Sequence, residues 1–192
     1  MQAETSQFSG GFAAPAIDAA HAFRAAMNAM ARPGKVFDIH GATPPSVISP
    51  AAGTLVLTLC DPETKVFLAS DVDTPSLRAW ITFHTGAPIV SPDEADFALG
   101  GWQALLPLEQ YRIGTPEYPD RSATLIVDQP EFDTPNASLS GPGIKDHIAM
   151  GLPDVAQLQR NTVLFPLGLD LFFTAGSQIK ALPRSSHISE KA

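Results

Sequence analysis

Apolar residues recur along this chain at helical spacing in some stretches and at strand spacing in others. Ala22, Phe23, Ala26, Met27 and Met30 fall three and four apart behind Asp18, a good N-cap, and "RPG" at 32–34 ends the run. A helix is therefore predicted from Asp18, with His21 and Arg24 on its other faces. "KVFDI" then alternates as a strand should. "SPAAGTLVLTLCDPET" is ambiguous: Ser49 and Pro50 open it like a helix, whereas Val56 and Thr58 lean toward strand and Gly53 weakens a helix. A buried helix ending near Asp61 is favoured, followed by the strand "KVFLAS". Thr74 and Pro75 begin a helix that carries Leu77, Trp80, Ile81 and His84 and stops at Gly86.

The second half is more broken. "APIV" and "ADFAL" are short strand candidates, and "LLPLEQYRIG" predicts a short helix. "SATLIVDQ" is the clearest strand signal, with another at Ala137–Leu139. Asp154 to Asn161 reads as a helix with Val155 and Leu158 inward; "GLDLFFTA" is a strand, and "SQIKALPRS" a last strand or turn. Helices and strands interspersed in this way predict an α/β fold around a central mixed sheet. No linker divides the chain, so residues 15–192 are expected to form one domain behind a loose N-terminal arm, residues 1–14.

Composition narrows the class. Of 192 residues, 44% are hydrophobic and 17% charged, which is globular, and Cys60 is the only cysteine, so no disulfide can form within the chain. The first residues lack a basic segment followed by a long apolar one, and no 18-residue apolar run follows. A cytoplasmic location is expected. The net charge of −8 disfavours nucleic acid and anionic membranes as partners. It still leaves Arg24, Arg32, Arg112, Arg121 and Arg184 free to converge on a local basic pocket.

Candidate chemistry is sparse. "SLSGPGIKDH", Ser138–His147, matches neither a Walker loop nor a dinucleotide fingerprint, and Pro142 removes an N–H from any nest. It is a tight turn, or a place of close backbone approach by a ligand or partner. His84 ends a helix, where it can meet free carbonyls or act as a general acid or base. Asp120 and Arg121 form a salt bridge or turn; alternatively Arg121 and Ser122 bind an anion. Asp61, Glu63 and Thr64 read as a turn; alternatively the two carboxylates, two residues apart, hold magnesium. The histidines lack metal-ligand spacing, and no metal site is expected.

Seven stretches occur in a fixed order: "MNAMARPG", "LCDPET", "FHTGAP", "GTPEYPDRSATL", "LSGPGI", "FPLGLDL" and "LPRSS". Together they closely resemble the H subunit of the bacterial carbon–phosphorus lyase system, the PhnH family. The resemblance implies a three-layer α/β/α sandwich similar to the large domain of pyridoxal-phosphate transferases. It also implies a homodimer in isolation and work alongside subunits I, G and J. The L subunit joins for transfer of ribose triphosphate from ATP onto methylphosphonate, with adenine displaced.

A pyridoxal enzyme needs a Schiff-base lysine and an acid facing the pyridine nitrogen. Lys35, Lys65, Lys145, Lys180 and Lys191 are the candidates, and none has a phosphate-cradling context, so no cofactor is expected. Two functions remain open. One is an accessory subunit needed for the transferase step. In the other, the subunit itself binds nucleotide or phosphonate, with His84, Asp120 and Arg121 catalytic and Arg32, Arg184 and Ser122 binding ligand. "SGPGI" is expected to shape an interface or pocket wall.

Overall fold

A computed structural model describes residues 8–190. Its centre is a six-stranded mixed sheet in the order β1-β8-β7-β4-β3-β2. The strands are β1 (Phe37–Asp38), β2 (Val66–Leu68), β3 (Phe97–Gly100), β4 (Thr124–Gln129), β7 (Asp170–Ala175) and β8 (Gln178–Leu182). β2, β3, β4 and β7 run parallel, whereas β8 and β1 are antiparallel additions. A separate antiparallel sheet joins β5 (Ala137–Ser140) to β6 (Ile148–Met150) and β9 (His187–Glu190).

Strand alternation builds two cores, one on each face of the central sheet. Leu99, Ile126, Phe172, Ile179 and Ala181 point to one face, where they meet α1 (Pro15–Ala31), α2 (Pro50–Leu59) and α3 (Pro75–Thr85). Ala98, Leu125, Val127, Leu171, Phe173 and Leu182 point to the other. There they meet Leu139 and Met150 of the small sheet and Leu158 of α4 (Val155–Val163). The second outer layer is thus mainly an antiparallel sheet with one short helix, where the resemblance implied a helical layer. Both β6 and β9 are absent from the sequence-based expectation; three- and four-residue strands with polar outer positions give little periodic signal.

Capping placed the helices well. Ser49 Oγ accepts the Ala52 N–H at 3.1 Å and Thr74 Oγ1 accepts that of Leu77 at 3.2 Å. Asp154 Oδ1 accepts that of Gln157 at 2.8 Å, and Gly86 closes α3 at φ 71°. α1 differs from expectation. It starts three residues earlier, at Pro15, because Asp18 lies inside the first turn and accepts the Ala14 N–H at 2.8 Å. Its inward face is Ala22, Ala26 and Ala29, while Phe23 and Met27 are 50% and 55% exposed. Small residues let this helix lie close on its neighbours, and the large ones turn outward. Helical spacing was right, and Ala22, Ala26 and Met30 do face the core; Phe23 and Met27 are the two of the expected set that do not.

Two further expectations contract. "APIV" contributes only a bridge from Ile89 to Val66, and "LLPLEQYRIG" only a 3-10 turn at Leu108–Gln110. The segment from Phe8 packs onto the body: Trp80 Nε1 donates to the Ser9 carbonyl at 3.0 Å, and Thr43 N–H to that of Gly10 at 2.8 Å. Residues 1–7 of the expected arm lie outside the described residues. Trp80 and Trp102 are both buried.

Candidate functional site

Four parallel strands bring their carboxyl ends to one edge, the usual place for a ligand in an open α/β sheet. Asp71 follows β2, Gly101 follows β3, and Asp128 and Gln129 end β4. Ser49 and Pro50, opening α2, reach the same edge. A cleft of about 600 Å³ lies between these groups, and an adjoining one of about 520 Å³ extends past Trp102 to Glu131 and Asp133.

Its carboxylates are held firmly. Asp128 accepts from the Ser49 N–H at 2.7 Å and from the Thr174 hydroxyl at 2.7 Å. Asp71 accepts the Gly101 N–H at 2.8 Å. Glycine is required at 100 and 101, since a Cβ at either would stand 2.5 Å from the Ala69 Cβ or 2.7 Å from Asp71 Oδ2. Among the described residues no lysine, arginine or histidine lines either cavity. Such a cleft suits hydroxyls and amines and repels phosphates. Nothing at 71 or 128 looked chemical in the sequence; an aspartate just past an apolar strand was the available signal.

Most of the sequence candidates lie at the opposite edge, where β4 and β7 begin with Thr124 beside Asp170. Arg184 is committed there. Its Nε donates to Asp170 Oδ2 at 3.1 Å, its Nη2 makes a second bond to the same carboxylate, and its Nη1 donates to the Pro119 carbonyl at 2.8 Å. It clamps the 3-10 turn Pro119–Arg121. Arg121 is exposed and stacks over the Tyr118 ring at 4.0 Å, pairing with no acid among the described residues. Asp120 is exposed beside it, and of the expected salt bridge or turn it is the turn that forms, with no Asp120–Arg121 ion pair among the described residues. Ser122 is buried with its hydroxyl unpartnered.

His84 sits elsewhere. Its ring lies 5.0 Å from those of Trp80 and Phe83 and touches Gly11 of the N-terminal segment, with Nε2 buried and unpartnered. Arg32 is exposed at the end of α1. No hydrogen bond, ion pair or ring contact among the described residues joins His84 or Arg32 to the turn at 119–122. None of the six candidates lines the carboxyl-edge clefts or the apolar cavity of about 410 Å³ between α4 and Leu108–Ile113.

Two buried nucleophiles are also accounted for. Burial, reinforced by Asp61, pushes the Cys60 thiol up to about 12, which leaves it a small core residue. Lys180 is 3% exposed; its Nζ donates to the Gly151 carbonyl at 2.9 Å and stands 4.6 Å from the Phe132 ring centre. Its amine lines none of these cavities. At Asp61, the hydroxyl of Thr64 and the N–H of Glu63 bond one carboxylate oxygen, so "LCDPET" is the turn its sequence suggested.

Fold and site together define a mixed α/β protein whose carboxyl-edge cleft is acidic and whose candidate residues are divided between separate places. The chain belongs to the PhnH family: the description "Bacterial phosphonate metabolism protein (PhnH)" matches residues 10–189. It is 38% identical, over the full length of both chains, to a Rhizobium meliloti (strain 1021) protein. That relative is the alpha-D-ribose 1-methylphosphonate 5-triphosphate synthase subunit PhnH. It is 28% identical to the putative C-P lyase subunit protein HtxG of Stutzerimonas stutzeri, over 88% of this chain and 85% of that one.

Proposed function

We propose that this chain is an accessory subunit of a carbon–phosphorus lyase system. It is needed to form alpha-D-ribose 1-methylphosphonate 5-triphosphate from ATP and methylphosphonate, without being the catalytic centre of that step. The observation that carries this reading is the dispersal of the candidate groups. Arg184 is spent on Asp170 and Pro119, Arg121 on Tyr118, and His84 on an aromatic cage elsewhere. Catalysis needs acid, base and anion donors around one point; Asp120, Arg121, Ser122 and Arg184 share one edge, but Arg184 is committed there and neither His84 nor Arg32 joins them. The similarity to a named synthase subunit supplies the pathway.

On this reading the chain works in the cytoplasm beside subunits I, G and J, with L present for the transfer, and pairs with itself when alone. Among the described residues no helix is long and apolar enough to cross a membrane. The finer fold relationship, to the large domain of pyridoxal-phosphate transferases, belongs to the same proposal. So does the single domain from residue 15.

Reconstitution tests it. The purified chain should release no adenine from ATP and methylphosphonate, the complete subunit set should, and omission of this chain should abolish the release. His84→Ala and Arg121→Ala should leave adenine release by the full set within about twofold, since neither group would touch substrate. Turnover by the chain alone would falsify the accessory role.

A further inference from the structure

The "SGPGIKDH" stretch gains a second half in the folded chain. Its turn is pressed against the "RPG" turn that ends α1. Gly143, at φ 80°, lies so close that a Cβ would stand 2.1 Å from the Ala31 carbonyl oxygen and 3.1 Å from Pro33. Gly34, at φ 78°, faces Ile148 in the same way, with a Cβ meeting its Cγ2 at 2.9 Å. Side chains at either position would hold the two turns apart.

This contact sets Lys35, from one turn, beside Lys145 and His147, from the other. All three line a pocket of about 270 Å³, and Asp146 is the one acid in its wall among the described residues. None of the three side chains makes a hydrogen bond or ion pair among the described residues. Elsewhere among the described residues Lys65, Arg78, Arg112 and Arg184 each have a carboxylate partner, while Arg24, Arg121 and Arg160 do not; what marks this pocket is that its unpaired cations share one wall. Arg32, immediately before Pro33, is exposed and likewise unpaired among the described residues. Basic groups gathered around a single carboxylate still repel one another, and a bound anion relieves that repulsion.

We propose that this pocket binds a tetrahedral, multiply charged oxyanion, a phosphate or phosphonate group, through Lys35, Lys145 and His147. A carboxylate fits less well. It brings one charge and a planar fork that suits arginine, whereas compact ammonium groups serve as point charges for phosphoryl oxygens. The pocket stands apart from the acidic carboxyl-edge cleft, which no cation among the described residues lines. It adds ligand binding to the accessory role without depending on that role, because the measurement uses the isolated full-length chain.

The test is calorimetric titration at low salt with inorganic phosphate, methylphosphonate, tripolyphosphate and, as a carboxylate control, glutarate. Saturable binding that weakens with salt is expected, tightest for tripolyphosphate, and comparison of phosphate with methylphosphonate tells which headgroup is preferred. Lys35→Ala and Lys145→Ala should each weaken it about tenfold, the size of one charge-assisted contact. Lys65→Ala, which removes an equal charge from a surface pair with Glu94, should leave it within about twofold. Absence of saturable heat with all three phosphorus anions overturns the proposal. So does equal loss in Lys65→Ala, or glutarate binding as tightly as phosphate.

Discussion

Lys180 reaches from β8 through the second core to the Gly151 carbonyl, its amine between the Phe132 and Phe173 rings. Burial, only partly offset by Asp133, lowers it from an ordinary 10.5 to about 8. Between those values the unfolded chain binds more protons than the folded one, so stability rises with pH across about 8 to 10.5. Below about pH 8 both states are protonated and the cost of the buried charge is fully present. Urea unfolding at intervals from pH 7.5 to 10.5 should show that rise, and Lys180→Met should remove this part of it. An identical slope in the variant would contradict the assignment.

Arg184 and Asp170 are the other polar commitment. Their side chains are 13% and 23% exposed, so the pair is largely desolvated, and the guanidinium also holds the Pro119 carbonyl. Arg184→Met strands the Asp170 carboxylate and frees the turn above it. A loss of roughly 2–4 kcal/mol is expected, near the range for breaking a buried pair, with faster amide exchange at 115–121. Asp170→Asn keeps an acceptor and should cost less. Both are measurable by denaturation, and a neutral Arg184→Met would show that the clamp is ornamental to stability.

At the scale of elements, α2 shows why a glycine can be right inside a helix. Gly53 weakened the helical prediction, yet Pro44 packs so tightly against it that a Cβ would approach the proline Cγ at 2.6 Å. Gly53→Ala raises helix propensity by up to about 1 kcal/mol. Overpacking costs about 1–3 kcal/mol. A net loss is expected, read as a lower melting temperature; a gain would mean that the Pro44 loop yields easily. α1 shows the converse, with periodicity intact and the buried face decided by how near α2 and β8 must come.

Elements were legible wherever a local signal was strong. The caps at Ser49, Thr74 and Asp154, the glycine stop at 86 and the apolar run of β4 each act within a few residues of themselves. Misses fell where the signal was non-local. β6 and β9 become strands only because β5 lies between them, and Ile89 forms a bridge but no strand. The candidate residues followed the same rule. Arg184 was singled out for its charge, but its acceptors, Asp170 and Pro119, lie 14 and 65 positions away, and no spacing announces them.

For the whole molecule, the amino-acid order determined the class, the helices with the caps at Ser49, Thr74 and Asp154, the central strands and, through seven short stretches in fixed order, the family. These are properties of neighbouring residues or of whole-chain pattern, and they survive without coordinates. Tertiary structure alone decided the second outer layer, the two faces of α1, the dispersal of the basic candidates and the meeting of Lys35 with Lys145 and His147. Each depends on which distant backbones can approach one another. That approach is governed by side-chain volume at contact points such as Gly34, Gly53 and Gly143, and by hydrogen bonds between segments far apart in sequence.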